Sequence, residues 1–197
     1  LAPYNETQLD QIRDERREQI KRAALKIFAR RGIIGTKMSM IAAEAGISQG
    51  LAYRYFSSKE ELFVELVREA MEEAHAAVKS LESAKAAPVD LIRELTIAML
   101  DENNSYSFKI IQQVQASDEV PEAAKQMISQ YPSNALMDSL IPIFIEGQRI
   151  GDFCKGDPRK LLMLYFSIIT GLMLQDGTSD GIHWVHEIET LMKILTK

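Results

Sequence analysis

"MSMIAAEAGISQGLAYRYF", Met38 to Phe56, reads as two short helices joined by a tight turn. Ile41, Ala45 and Ile47 are apolar where the pair must face its own small core, and Ala42 is small where the second helix crosses the first closely. Gly46 falls in the turn, where a positive φ is needed and a Cβ is penalised. Ser48 precedes the second helix as N-cap, its oxygen placed to accept an orphan amide. The spacing predicts helices from about Met38 to Ala45 and from Gln49 to Tyr55, a helix-turn-helix.

The second helix carries the chemistry. In a helix-turn-helix its N-terminal residues enter the major groove of DNA. Gln49 both donates and accepts in the pattern that adenine presents, and Leu51 suits a thymine methyl. Gly50 has no side chain to hold the backbone away. Tyr53, Arg54 and Tyr55 bring hydroxyl and guanidinium groups suited to phosphate oxygens, which set position but not sequence. Lys59 stands in the first turn of the next helix, where free amides already favour an anion. The same residues admit a blander reading, with Tyr53 and Tyr55 as packing groups and Lys59 as a solvated charge. Phe56 is core, against Phe28 and Leu62.

Charge supports the first reading. The chain carries a formal net charge of -5, unevenly spread. Residues 1–60 hold 11 Lys and Arg against 7 Asp and Glu, whereas residues 61–197 hold 12 against 21. A basic N-terminal third on an acidic body can meet a polyanion with one end only.

Working outward, nearly every periodic segment is helical, and no run of alternating β-branched residues signals a strand. A first helix spans Gln8 to Arg31, with Ile20, Ala23, Ala24, Ile27 and Phe28 on one face and Gly32 as its left-handed cap. Ser58 begins a long helix toward Leu81 through the capping box "SKEE". Helices follow over about Val89–Leu100, Tyr106–Gln115, Pro121–Gln130 and Asn134–Ile150, the last with a kink expected at Pro142. Asp157-Pro158 starts another that runs to about Gln175, and the last spans Ile182 to Leu195. The fold class is all-α, about nine helices. An N-terminal three-helix DNA-binding domain over residues 1–60 precedes a larger helical domain over 61–197.

"AALKIFARRGIIGTKMSMIAAEAGISQGLAYRYFSSKEELF" closely resembles the N-terminal domain of the TetR family of bacterial transcriptional regulators. The matching elements are Ala23–Phe28, Gly32, Thr36, Ile41–Ser48, Gly50, Tyr53-Arg54-Tyr55-Phe56 and Ser58-Lys59-Glu60. The resemblance implies phosphate contacts from Thr36, Ser48, Tyr53, Tyr55 and Lys59. It implies base or groove contacts from Gln49, Gly50 and Leu51, with Lys37 and Arg54 beside them. Ala52 departs from the family, which often has an inward-packing leucine there. The resemblance further implies a repressor that binds a palindromic operator on double-stranded DNA as a dimer, and a C-terminal helical domain that dimerises and encloses a small-molecule effector.

The sequence speaks for a homodimer independently. Leu161–Leu174 is apolar on almost every face, and a helix without a polar face must be covered on both sides. Gly171 admits close approach by another helix, and the last helix adds a stripe of Ile182, Val185, Ile188, Met192 and Leu195. These two C-terminal helices and their symmetry mates would make a four-helix interface. For the effector, Tyr106, Phe108, Gln112, Phe144, Tyr165, Met173 and Trp184 are candidate lining residues, each also a plain core candidate.

Other classes find little support. No nucleophile–base constellation, carboxylate pair or Gly-rich phosphate loop has interpretable spacing, so an enzyme is not expected. No cofactor is expected. Nor is a metal site: His183 and His186 share a helical face, but nothing completes a ligand set. With one cysteine, Cys154, no internal disulfide forms, and with no secretory signal or membrane-length apolar run a cytoplasmic protein is expected. A helical protein-binding module that keeps the helix-turn-helix only as scaffold is the remaining alternative.

Overall fold

A computed structural model describes residues 6–132, 134–175 and 184–196. Among them the chain is helical, without a strand; the one bridge pairs Phe153 with Thr196. The helices are α1 (Glu6–Arg31), α2 (Met38–Glu44), α3 (Gln49–Tyr55), α4 (Lys59–Ser83), α5 (Pro88–Leu100), α6 (Glu102–Ala116), α7 (Glu122–Ser129), α8 (Ala135–Ile150), α9 (Pro158–Leu174) and α10 (Ile188–Met192), with a 3₁₀ turn over Trp184–Glu187.

Local chemistry explains most boundaries. Gly32 closes α1 at φ +67° and Gly46 makes the α2–α3 turn at φ +65°, both where an L side chain is strained. The Ser48 and Ser58 hydroxyls accept from the amides of Leu51 and Glu61 at 3.2 and 3.0 Å. The capping box closes differently from expectation: the Glu61 carboxylate reaches past Ser58 to the amide and hydroxyl of Ser57, at 2.8 and 2.5 Å. Those bonds hold Glu61 below the usual carboxylate range.

Two expectations change. The helix expected from Tyr106 starts a turn earlier: Asp101 caps α6 by accepting from the Asn103 amide at 3.0 Å, so α6 begins at Glu102. α8 carries the exposed Pro142 within a single helical span, the position where a kink is expected. The last helix is much shorter, because the chain turns after Met192 and Leu195 drops into the core while its carbonyl accepts from the Cys154 amide at 2.7 Å. Ile188, Met192 and Leu195, expected on an intermolecular stripe, are buried within this chain. Ile182 and His183 lie outside the described residues.

Two apolar cores organise the molecule. The first gathers Phe28, Ile41, Ala52 and Phe56 with Leu62, Phe63, Leu66 and Val67 of α4, and draws in Ile110 and Val114 of α6. The second joins Ile92, Leu140, Phe144, Phe153, Leu162, Tyr165, Ile169 and Leu195. Of the candidate lining residues, Phe144, Tyr165 and Met173 are solid core. The Tyr165 hydroxyl meets Thr96 at 2.8 Å, and Phe144 stacks on Phe153 at 4.5 Å.

α1 and α4 are held by apolar and ionic contacts together. Phe28 and Phe63, fully buried, meet edge to face at 5.1 Å. Lys21 lies between Glu18 and Glu69 at 2.5 and 2.8 Å. Burial pulls its pKa down, but the two carboxylates outweigh burial and leave it above the ordinary lysine value. Truncating Phe63 to alanine removes the ring that joins the two helices and should cost roughly 3–5 kcal/mol in urea denaturation, with Phe63→Leu costing distinctly less.

Candidate nucleic-acid interface

α3 divides cleanly into an inner and an outer face. Ala52 and the C-cap Phe56 are fully buried, whereas Gln49, Gly50, Tyr53 and Arg54 face solvent, Tyr53 with 48% of its surface exposed. Ala52 packs where a leucine was expected from the resemblance. Leu51 is partly exposed, and Tyr55 lies half-buried against the first core. An open cleft of about 410 Å³ runs beside this face, lined by Lys37, Met38 and Ser39 of the α2 start, Gln49 and Tyr53 of α3, and Ser57 to Glu60 at the start of α4. Ser39 was not singled out in the sequence, although burial of Met38, Ile41 and Ala42 on one side of α2 leaves it outside.

The predicted contact residues fall into three groups. Lys37, Gln49, Gly50, Tyr53 and Arg54 are exposed around the cleft or on the outer face of α3. Ser48 has two capacities: its oxygen caps α3, and its O–H is left to donate elsewhere. Thr36 and Lys59 are committed internally. Thr36 has no exposed surface, and its hydroxyl donates to the Gly32 carbonyl at 2.6 Å. Its side chain shapes the α1–α2 turn, and its O–H is spent within it. Lys59 Nζ donates to the carbonyls of Ile33 and Thr36 at 2.7 and 2.8 Å. An ammonium has three N–H groups, so Lys59 ties down the turn with two of them, and the Glu60 carboxylate stands 4.0 Å from the same nitrogen.

Gly50 is informative because the fold does not require it. A Cβ built there meets no atom within 4 Å, and the backbone has no positive φ. Gly46 is the opposite case, a glycine demanded by its dihedral.

The remaining ends of the two short helices are tied back to α1. Gln19 Nε2 donates to the Ala45 carbonyl at 2.6 Å, Lys26 pairs with Glu44 at 2.5 Å, and an Arg17 nitrogen lies 3.2 Å from the Tyr55 carbonyl oxygen. A short helix with a solvent-facing polar and aromatic side, seated on a buried tripod of helices with basic residues around an open cleft, defines a helix-turn-helix DNA-binding domain of the transcriptional-regulator class.

Comparison with known proteins gives the family. Residues 20–66 match the family described as bacterial regulatory proteins, tetR family. The HTH-type transcriptional regulator BetI of Rhizobium meliloti is 35% identical over 82 residues, 40% of either chain. The HTH-type transcriptional repressor NicS of Pseudomonas putida is 31% identical over 88 residues, 45% of this chain and 42% of that protein. The matched stretches thus span less than half of these relatives. The structure of the ketosteroid transcriptional regulator KstR2 of Mycobacterium tuberculosis shares the fold over 92% of this chain and 95% of its own, with a TM-score of 0.67 at 21% identity. Residues 20–66 are thus similar to the DNA-binding region of the TetR family, and the relatives matched there are transcriptional regulators, not enzymes. Among the described residues no helix is long and apolar enough to cross a membrane.

Gly50→Ala should leave the melting temperature unchanged or raise it, by up to about 1 kcal/mol of stability, because alanine is the better helix residue. The same variant should bind DNA more weakly by fluorescence anisotropy. Gly46→Ala should do the reverse, losing on the order of 1–2 kcal/mol of stability to left-handed strain.

Proposed function

We propose that the chain is a cytoplasmic, ligand-responsive repressor that binds a palindromic operator as a homodimer and is released by a small-molecule effector. The observation that carries DNA readout is the outer face of α3: Gln49, Gly50, Tyr53 and Arg54 have no part in the core, yet stand together beside Lys37 and Ser39. Gln49, Gly50 and Leu51 read the groove. Tyr53, Tyr55, Arg54, Lys37, Ser48 and Lys59 hold phosphates. The repressor name of NicS supports the sign of regulation.

Dimerisation rests on α9. Its inner side buries Leu162, Tyr165, Phe166, Ile169 and Met173, and its outer side leaves Met163 and Leu164 more than half exposed. Ile168 and Leu174 extend that outer side, and at Gly171 a Cβ would meet nothing within 4 Å. α8, packed beside α9, adds exposed Ile145 and Ile150. Apolar side chains in this register favour a second copy of the same face over water.

Release follows from linkage. An effector held among the C-terminal helices acts only through a difference in affinity between two arrangements, typically worth 1–3 kcal/mol. Two routes lead from those helices to α3. α4 is one unbroken helix from the cleft to Ser83. α6 reaches α1 through Gln113, whose Nε2 lies 2.9 Å from the Phe28 carbonyl oxygen and 3.3 Å from that of Ala29.

Selection of duplexes from a random pool should recover a palindrome; recovery of no enriched sequence would favour a protein-binding module. Binding should fall steeply with salt, as phosphate contacts release counterions. Tyr53→Ala should weaken binding about tenfold on every duplex, while Gln49→Ala should mainly erode discrimination. Equal losses for Gln49→Ala on operator and random DNA would remove it from base readout. Leu164→Glu should convert a dimer to a monomer in light scattering.

A further inference from the structure

Arg17 of α1 lies outside the groove-facing set, yet one side chain touches three parts of the machinery that seats α3. Its Nη1 donates to the Tyr55 carbonyl at 3.2 Å, and its Nη2 to Glu65 Oε2 of α4 at 2.5 Å. Its guanidinium carbon stands 4.3 Å from the centroid of the Phe56 ring. Tyr55 is the last residue of α3, so its carbonyl is one of those a helix end leaves unmatched. Phe56 is the buried C-cap of the same helix. Glu65 keeps 15% of its side chain exposed and Arg17 37%, so the pair is sheltered at its carboxylate end. A planar fork is suited to this task, since it serves two acceptors in one plane while its face covers an aromatic ring.

We propose that Arg17 is a positioning residue for DNA readout. It fixes the C-terminal end of the recognition helix against α4, and thereby the direction in which Gln49 to Leu51 enter the groove. Its guanidinium is turned to Tyr55, Phe56 and Glu65, so it acts through α3 and not through a phosphate. Glu65 completes the clamp, which makes a movement of α4 a movement of the α3 terminus. The inference rests on the DNA-binding reading above.

The test compares the wild-type chain with Arg17→Ala, Arg17→Lys, Glu65→Gln and the Arg17→Ala/Glu65→Gln double variant. Each is titrated against the duplex that the wild type selects from a random pool and against a scrambled duplex of equal length, over a series of salt concentrations. Arg17→Ala should lose at least about tenfold on the selected duplex, much less on the scrambled one, with the slope of log affinity against log salt unchanged. A lost phosphate contact would instead lower that slope by about one and weaken both duplexes alike.

Glu65→Gln gives the sharper arm, because the two accounts predict opposite signs. Removing a negative charge near DNA strengthens simple electrostatic attraction, whereas loss of the clamp weakens binding to the selected duplex. The double variant should be no worse than Arg17→Ala, and Arg17→Lys should recover only part of the loss, having charge but no fork. Tighter binding by Glu65→Gln, a reduced salt slope for Arg17→Ala, or unchanged affinity in both would overturn the inference. If Arg17→Ala does not fold by circular dichroism, Glu65→Gln alone decides it. Failure of the wild type to select any DNA overturns the DNA-binding reading and this inference with it, whereas selection with unaffected variants overturns only the latter.

Discussion

A seven-residue helix cannot stand alone in water, and the helix-turn-helix here consists of two of them. Its existence depends on other elements supplying what such short helices lack: partners for their terminal backbone groups and a surface for their one apolar side. Three side chains of α1 and α4 do most of the first task. Gln19 takes the carbonyl at the end of α2, Arg17 the carbonyl at the end of α3, and Lys59 the carbonyls of the turn before α2. Phe28, Phe56, Leu62 and Phe63 do the second. The outer side of α3 is thereby relieved of any structural duty.

The same arrangement brings the C-terminal helices into the support of the DNA-binding end. The first core does not stop at the helix-turn-helix; it takes Ile110 and Val114 from α6, and Gln113 between them holds the last carbonyls of α1. The Oε1 of Gln113 is buried without a hydrogen-bond partner, beside Gly32 where α1 ends. An unmatched buried acceptor has a cost that a modest rearrangement can relieve.

Much of this was legible in the sequence where the determining chemistry is local. Gly32, Gly46, Ser48, Ser58 and Asp157 each act on a neighbour within four residues, and the helix ends they mark fall within a residue or two of expectation. What could not be read depends on partners distant in the chain. Thr36 looks like a phosphate ligand until its hydroxyl turns back to the Gly32 carbonyl, and Lys59 until the carbonyls of Ile33 and Thr36 take two of its three N–H groups. Arg17 looks like one more basic residue on a charged helix until Tyr55 and Glu65, 38 and 48 residues away, arrive beside it. The apolar periodicity of the last helix is real, but periodicity does not say whose core it fills, and the return of Leu195 beneath Cys154 decides that.

Gly50 carries the separation of duties to its end. Because nothing in the protein occupies the space above it, this position of the outer α3 face can change without a steric penalty in folding. Most substitutions in a protein are filtered first by stability, and here that filter is absent. A duplicated copy of such a gene could acquire a new DNA address through changes at these few positions, while the scaffold passes unchanged to both descendants.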